Sequence, residues 1–345
     1  MSAEMYNSVI MLNGVSHQLS SLLSSSTLNN SSLFNFLKEW TSTSSTVELQ
    51  TSGSTGLPKK MQLSKSKMIL SAKRTGEFLK LQPKDKALCC LPINYIAGKM
   101  MIVRALVLGL DLHLAKPSKN PLKGLSSRFD FVAFTPYQLE YSLDQLNNIK
   151  TLIVGGGPIN EKTKKSLYKS NTDIYETFGM TETVSHIALK YISKGEKEFK
   201  ALKGVWFETE NDCLKIYCDS ILEAPIVTTD VVELISKKKF VWKGRADFVI
   251  NSGAIKVFPE ELEKKLNQTI SIPFVILGIP DEKLGKKIAI IFEGETPKNF
   301  KDLVKVLDPF ERPKKIFNLL VFPRNNNKIL RKILINKILK SNGSN

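Results

Sequence analysis

Between residues 47 and 176, short apolar runs alternate with segments whose apolar residues recur at helical spacing. The runs 87–91, 129–134 and 151–154 predict buried strands, and the patterns over 97–108, 136–146 and 161–169 predict helices between them. Strand and helix in alternation predict βαβ units and a mostly parallel sheet. Residues 20–46 are rich in Ser, Thr and Asn. Their single apolar island, Leu33, Phe34, Phe36, Leu37 and Trp40, has the spacing of a short amphipathic helix. The leading segment 1–46 otherwise reads as loosely specified.

The pattern changes over 186–250, where runs such as 213–218, 231–235 and 240–242 follow one another without intervening helices. A β-rich subdomain is predicted there. Beyond Gly244 the chain predicts another strand, then a helix opened by Pro259 with Glu260 and Glu261 in its first turn. Strands over 274–279 and 287–292 and two basic helical stretches complete a small α+β unit. The fold class is therefore α/β, with a large domain over 47–244 and a small α+β domain over 248–345.

A length of 345 residues allows two domains, and 42% hydrophobic with 24% charged residues excludes a disordered or fibrous chain. Fifty Lys and Arg against 33 Asp and Glu leave +17, which favours an anionic partner. From Arg245 onward, 19 basic and 11 acidic residues carry +8 of that excess. No RGG run and no aromatic stripe among basic residues marks a specific nucleic-acid surface. The cysteines (89, 90, 213, 218) form no C-x-x-C, and His17, His113 and His186 are too scattered for a zinc site. Arg104 and Asp111 interrupt the most apolar stretch, 100–115, so no spanning helix is expected and a cytoplasmic location is.

The most informative segment is TSGSTGLPKK, residues 51–60, following the strand-like 47–50. Gly53 and Gly56 let the backbone turn tightly against a polyanion, Thr51, Ser52, Ser54 and Thr55 offer hydroxyl donors, and Lys59 adds charge. This is the chemistry of a phosphate cradle. It lacks the G-x-x-x-x-G-K-[ST] spacing of a P-loop.

Further motifs follow in order: LPINYIAG at 91–98, GGGPI at 155–159, FGMTE at 178–182, TTD at 228–230, GRAD at 244–247, SGA and KVFPE at 252–260, and PRNNNK at 323–328. With them the chain resembles the acyl-adenylate-forming superfamily of AMP-binding enzymes, which includes acyl-CoA synthetases, peptide-synthetase adenylation domains and luciferase. It carries Tyr95 where that family usually has His, Thr229 and Ala254 where it has Gly, and no Gly before Lys328. The segment ahead of the phosphate loop is abbreviated relative to full-length relatives.

The resemblance implies an acyl-CoA synthetase-like fold whose small C-terminal domain moves about a hinge at 245–247, centred on Asp247. It implies ATP, Mg²⁺ and coenzyme A as cofactor and co-substrates, with a small-molecule carboxylic acid as substrate. Thr181 would contact phosphate and Glu182 would hold the metal, a hard cation that takes oxygen ligands. Asp230 and Arg245 would bind the ribose, and Gly155, Gly156 and Gly157 would let adenine or acyl group lie on bare backbone. Phe178 and Gly179 belong to the same nucleotide site, and Lys328 would neutralise charge developing at the α-phosphate.

Tyr95 to Arg104, Thr135 to Leu139 and Thr181 to Ser185 resemble most closely the o-succinylbenzoate-CoA ligases of menaquinone biosynthesis. That substrate is a dicarboxylate, so the carboxylate that does not react needs a cation, preferably the fork of an arginine. Arg104, with Lys99 on the same helical pattern, is the candidate, and Tyr95 and His186 are placed at the acid pocket. Ligation of another aryl or acyl acid, or a non-catalytic basic binding protein of the same fold, are the alternatives. A homodimer and weak association with an anionic membrane remain open.

Overall fold

A computed structural model describes residues 8–24, 31–50, 60–253, 255–325 and 328–342. The predicted parallel strands form one half of a thirteen-stranded sheet. From one edge it runs Val205–Glu210, Cys213–Cys218, Ile226–Ser236, Lys239–Arg245, Phe199–Ala201, His186–Tyr191, Asp173–Gly179, Ile149–Val154, Phe129–Phe134, Lys86–Cys89, Asp111–Leu114, Val9–Leu12 and Val15–Gln18. Pairings from Asp173–Gly179 through to Val9–Leu12 are parallel. On the other side of Asp173–Gly179 all are antiparallel.

The β-rich stretch is thus not a separate layer but the antiparallel half of the same sheet. The physical reason is edge pairing. His186–Tyr191 folds straight back on Asp173–Gly179 and satisfies backbone groups that a last parallel strand would leave open.

The leading segment is also more ordered than its composition predicted. Asn13 (φ 50°) and Gly14 (φ 82°) make the two-residue turn of a hairpin, the conformation that Asn-Gly favours. The Gly14 N–H donates to Asp111 Oδ1 at 2.7 Å, tying the turn to the adjoining strand. The predicted amphipathic helix is Ser32–Thr41, capped by the Ser31 hydroxyl and burying Leu33, Phe36, Leu37 and Trp40.

Helix Ile96–Leu108 is buried continuously from Gly98 to Leu106 and packs against helix Lys65–Leu79. The pattern over 136–146 breaks into helix Pro136–Glu140 and a 3₁₀ turn, Leu143–Asn148, because the chain bends at Tyr141 (φ −90°, ψ 0°). Leu139 and Leu146 still reach the same core.

The chain leaves the large sheet at Arg245 and enters a second, five-stranded sheet at Ile250. Here Phe274–Asp281 and Gly285–Glu293 pair antiparallel, and Lys315–Leu319, hidden in the sequence within a basic run, pairs parallel to Gly285–Glu293. Of the two predicted basic helices, the last is Arg331–Asn342 and the other shrinks to Phe300–Leu303. Apolar residues cluster on both faces of this sheet, separately from the cores of the large one. Among the described residues no helix is long and apolar enough to cross a membrane.

Gly98 marks the tightest crossing beneath helix Ile96–Leu108, since a Cβ there would lie 2.4 Å from the Pro92 carbonyl oxygen. That neighbour is backbone and cannot swing away. Gly98→Ala is expected to lower stability by about 1–3 kcal/mol, read as a shifted denaturant midpoint at unchanged slope.

Candidate functional site

The parallel strands deliver their C-terminal ends to one edge of the sheet, where a loop follows each. After Ile149–Val154 come Gly155, Gly156 and Gly157. The Gly155 N–H donates to the Phe134 carbonyl at 3.0 Å, and a Cβ on Gly155 would fall 2.3 Å from Thr177 Oγ1. Gly156 adopts φ 90° with open space beside it. These two positions require glycine, whereas Gly157 is merely uncrowded.

Buried Glu176 braces this loop. It accepts from the Ile159 N–H at 3.0 Å and pairs with Lys164 (3.2 Å) and Lys190 (2.5 Å). The two ammonium groups outweigh the burial penalty and hold its carboxyl below the usual range.

The next strand end carries Phe178, Gly179 and the turn leading back to His186. Gly179 lies directly opposite His186, and a Cβ there would meet the Ser185 carbonyl oxygen at 2.4 Å. The reversal is completed by Val184, fully buried at φ 69°, ψ −53°, with the Ser185 N–H bonded to the Thr183 carbonyl at 2.8 Å. This is a γ-turn with positive φ, rare for a β-branched residue and costing on the order of 1–3 kcal/mol. It turns Glu182 outward to solvent while Ser185 and His186 face the core.

Asp230 and Arg245, separated by fifteen residues in sequence, are direct cross-strand partners. Asp230 Oδ1 accepts from Trp242 Nε1 at 2.9 Å, which leaves its other carboxylate oxygen available. Arg245 bonds Thr229 Oγ1, so the hydroxyl standing in the usual glycine position orients the guanidinium. Arg245 also pairs with Asp247 at 3.2 Å, in the short turn Ala246–Phe248 between the two sheets.

At the predicted acid pocket the candidates separate. Lys99 is committed elsewhere: its Nζ bonds the Glu48 carbonyl at 2.7 Å and pairs with Glu39 at 3.1 Å, a structural role that corrects its assignment to substrate. Tyr95 is 38% exposed at the start of helix Ile96–Leu108.

Arg104 is only 2% exposed, donates from Nη2 to Ser185 Oγ at 3.0 Å, and meets Met101 Sδ at 3.7 Å. Its Nε has no hydrogen-bond partner, and among the described residues no carboxylate pairs with it. Burial lowers its pKa to about 10, so it remains charged at neutral pH. Neighbouring Cys89, pushed up by burial to about 11, supplies no counter-charge. His186, 7% exposed, is held neutral by burial and by Arg104. Arg104 is therefore a buried positive charge with no carboxylate partner among the described residues.

Residues 51–56 and Lys59 of the phosphate loop lie outside the described residues, as does Ala254. The strands flanking the loop do not: Thr46–Gln50 and Lys60–Ser64 pair antiparallel, with Gln50 opposite Lys60. Lys328 begins the short strand Lys328–Ile329, paired with Arg324–Asn325.

Sequence reasoning missed Glu176, Ser185 and Thr75. Glu176 sits within an alternating strand and resembles any surface acid. Thr75 comes from a helix 111 residues away from the histidine it contacts, His186, at 3.0 Å.

Among the described residues no three His, Cys, Asp or Glu side chains form a metal site. Glu182, an exposed carboxylate with no ion pair among the described residues, fits a Mg²⁺ that takes its remaining ligands from phosphate and water.

The buried neutral His186 has a consequence for stability. Its pKa is depressed when folded, so below about 6.5 the unfolded chain binds a proton that the folded chain refuses, and stability falls as pH falls. Between pH 7.5 and 5.5 the wild type is expected to lose about 1 kcal/mol more than His186→Gln. Denaturant midpoints at the two pH values measure the difference.

The profile of the family described as AMP-binding enzyme matches residues 25–205, just over half of the chain. The 2-succinylbenzoate–CoA ligase of Listeria innocua is 26% identical over 317 residues, covering 81% of this chain and 67% of its own. The chain spans 62% of the corresponding Listeria monocytogenes ligase. The solved acyl-CoA synthetase (AMP-forming)/AMP-acid ligase II-like protein from Dyadobacter fermentans is 30% identical, with TM-score 0.64, over 93% of this chain and 97% of that one. O-succinylbenzoate coenzyme A synthetase from Bacillus subtilis, solved with ATP and magnesium ion, matches in fold at TM-score 0.72 and 21% identity, over 83% of this chain and 68% of that one. With that profile match, with the glycine loops at the ends of parallel strands and with the TTD and GRAD segments paired across two strands, the chain belongs to the AMP-binding enzyme family.

Proposed function

We propose that the chain is an AMP-forming acid-CoA ligase acting on 2-succinylbenzoate, in menaquinone biosynthesis. In the first half-reaction a substrate carboxylate oxygen attacks the α-phosphorus of ATP and pyrophosphate leaves. In the second, the thiol of coenzyme A attacks the acyl carbon and AMP leaves. The observation that carries the choice of acid is the buried Arg104. An unpaired guanidinium in a closed interior costs several kcal/mol, and a second carboxylate on the substrate offsets that cost through a bidentate bond.

The other residues divide the work. Asp230 accepts from the ribose hydroxyls, and Arg245, oriented by Thr229, donates to the same sugar. The loop at Gly155–Gly157 presents bare backbone to the base. Thr181 donates to phosphate, and Glu182 holds Mg²⁺, which supplies charge neutralisation on the phosphates. Lys328 brings positive charge to the α-phosphate in the adenylating arrangement.

We further infer that residues 248–345 rotate about 245–247. The ion pairs across the junction include Lys243 to Glu261 at 3.6 Å, Lys256 to Asp212 at 2.7 Å, and Lys264 to Glu161 at 3.7 Å. Such surface pairs hold little energy each, so a swing costs little.

Acid-dependent pyrophosphate release, measured against a panel of aryl, succinyl and fatty acids, tests the reading. Arg104→Leu is expected to cost about 2–4 kcal/mol in kcat/KM for 2-succinylbenzoate and much less for 4-oxo-4-phenylbutanoate, the same skeleton without the ring carboxylate. Equal losses on both acids would assign Arg104 a structural role.

The half-reactions separate the C-terminal residues. Lys328→Ala is expected to abolish adenylate formation while transfer from supplied acyl-adenylate to coenzyme A stays within about tenfold of wild type. Asp247→Pro, which fixes φ in the hinge, should spare adenylation and impair transfer. Equal slowing of both steps by Lys328→Ala would remove the rotation from the mechanism.

A further inference from the structure

Arg104 does not stand alone in its pocket. Its Nη2 donates to Ser185 Oγ at 3.0 Å, Ser185 Oγ lies 3.5 Å from His186 Nδ1, and His186 Nε2 is 3.0 Å from Thr75 Oγ1. Thr75 Oγ1 in turn donates to the Ser71 carbonyl at 3.0 Å, within helix Lys65–Leu79.

The last bond fixes the direction of all the others. Because the Thr75 hydroxyl proton is committed to a carbonyl, its oxygen must accept, and His186 Nε2 must carry the proton. In a neutral imidazole Nδ1 is then the acceptor, so the Ser185 hydroxyl points its proton at His186 and a lone pair at Arg104. Every donor in the column therefore points away from the guanidinium. Reversing any one of them would leave a buried donor facing another donor.

We propose that Ser185, His186 and Thr75 form a one-way hydrogen-bond column that fixes Arg104 through Nη2 and leaves its unpartnered Nε–H to a second, non-reacting carboxylate. The three are positioning residues, and acid selectivity depends on a helix that supplies no group to the substrate. The proposal rests on the reading of Arg104 given above and adds the origin of its orientation. A neutral acid offers the guanidinium no opposite charge, and an acid with an additional amine would place two cations together in a closed interior.

The column also connects to the catalytic face. Ser185 follows the strained Val184 and lies three residues from Glu182, so the residue that holds Arg104 belongs to the turn that displays the metal-binding carboxylate.

Thr75→Val, nearly isosteric, removes the acceptor for His186 Nε2–H. It is expected to raise KM for 2-succinylbenzoate about fivefold while leaving KM for 4-oxo-4-phenylbutanoate within about twofold, with kcat little changed on either acid. Thr75→Ser, which keeps the oxygen, should restore discrimination. An equal rise for both acids, or discrimination kept in Thr75→Val but lost in Arg104→Leu, would overturn the column while leaving the ligase reading intact.

A second readout needs no turnover. Nitrogen-15 NMR of the folded protein, assigned with His186→Gln, should show His186 as the neutral Nε2–H tautomer at pH 7, disturbed in Thr75→Val and restored in Thr75→Ser. An imidazolium, an Nδ1–H tautomer, or no change in Thr75→Val would overturn the proposal even if no acid tested were turned over.

Discussion

At residues 179–186 the large sheet changes from parallel to antiparallel within one tight reversal, and three requirements meet there. Gly179 must lack a side chain because the returning backbone passes within 2.4 Å of where a Cβ would stand. Val184 must hold a positive φ that its branched side chain disfavours. His186 must be buried and neutral beside a charged arginine. The reversal persists because both sides of it are over-determined. On one side lie the parallel strands and their βαβ helices, and on the other an antiparallel meander whose Phe199 and Phe240 pack against Phe178, with Phe207 edge-on to Phe240.

The same reversal sorts the chemistry. It turns Glu182 to solvent beyond the C-terminal end of strand Asp173–Gly179, buries His186, and brings Ser185 to Arg104. Two half-sites of opposite character are thus joined by four residues. One is exposed and carries the Glu182 carboxylate. The other is buried and positively charged. In a low-dielectric interior an uncompensated guanidinium is worth far more to an incoming carboxylate than a lysine on the surface would be. Lys99 illustrates the contrast: on the same helix as Arg104, its ammonium is already paired with Glu39.

The C-terminal body is coupled to this site by geometry more than by packing. Its sheet has its own cores, and the polypeptide crosses between sheets in the few residues around Asp247. The carboxyl of Glu260 nonetheless sits close against Gly244, in a position that a side chain at 244 would obstruct, and burial raises its pKa. The junction is therefore narrow and sterically selective without being heavily cemented.

The amino-acid sequence by itself determined the strand and helix alternation, the glycine positions and the ordered motifs, because these depend on local backbone freedom and short-range periodicity. It determined Arg104 as a candidate cation but not its company. That the β-rich stretch continues the same sheet, that Asn13-Gly14 turns a hairpin onto its far edge, and that Lys315–Leu319 is a strand depended on which backbone edges were left to pair. Only tertiary structure could decide that Lys99 meets Glu39, and that Thr75 and His186, 111 residues apart, orient the partner of Arg104. Such contacts carry no spacing signature, since chain separation does not encode distance once the sheet brings remote strands and helices together.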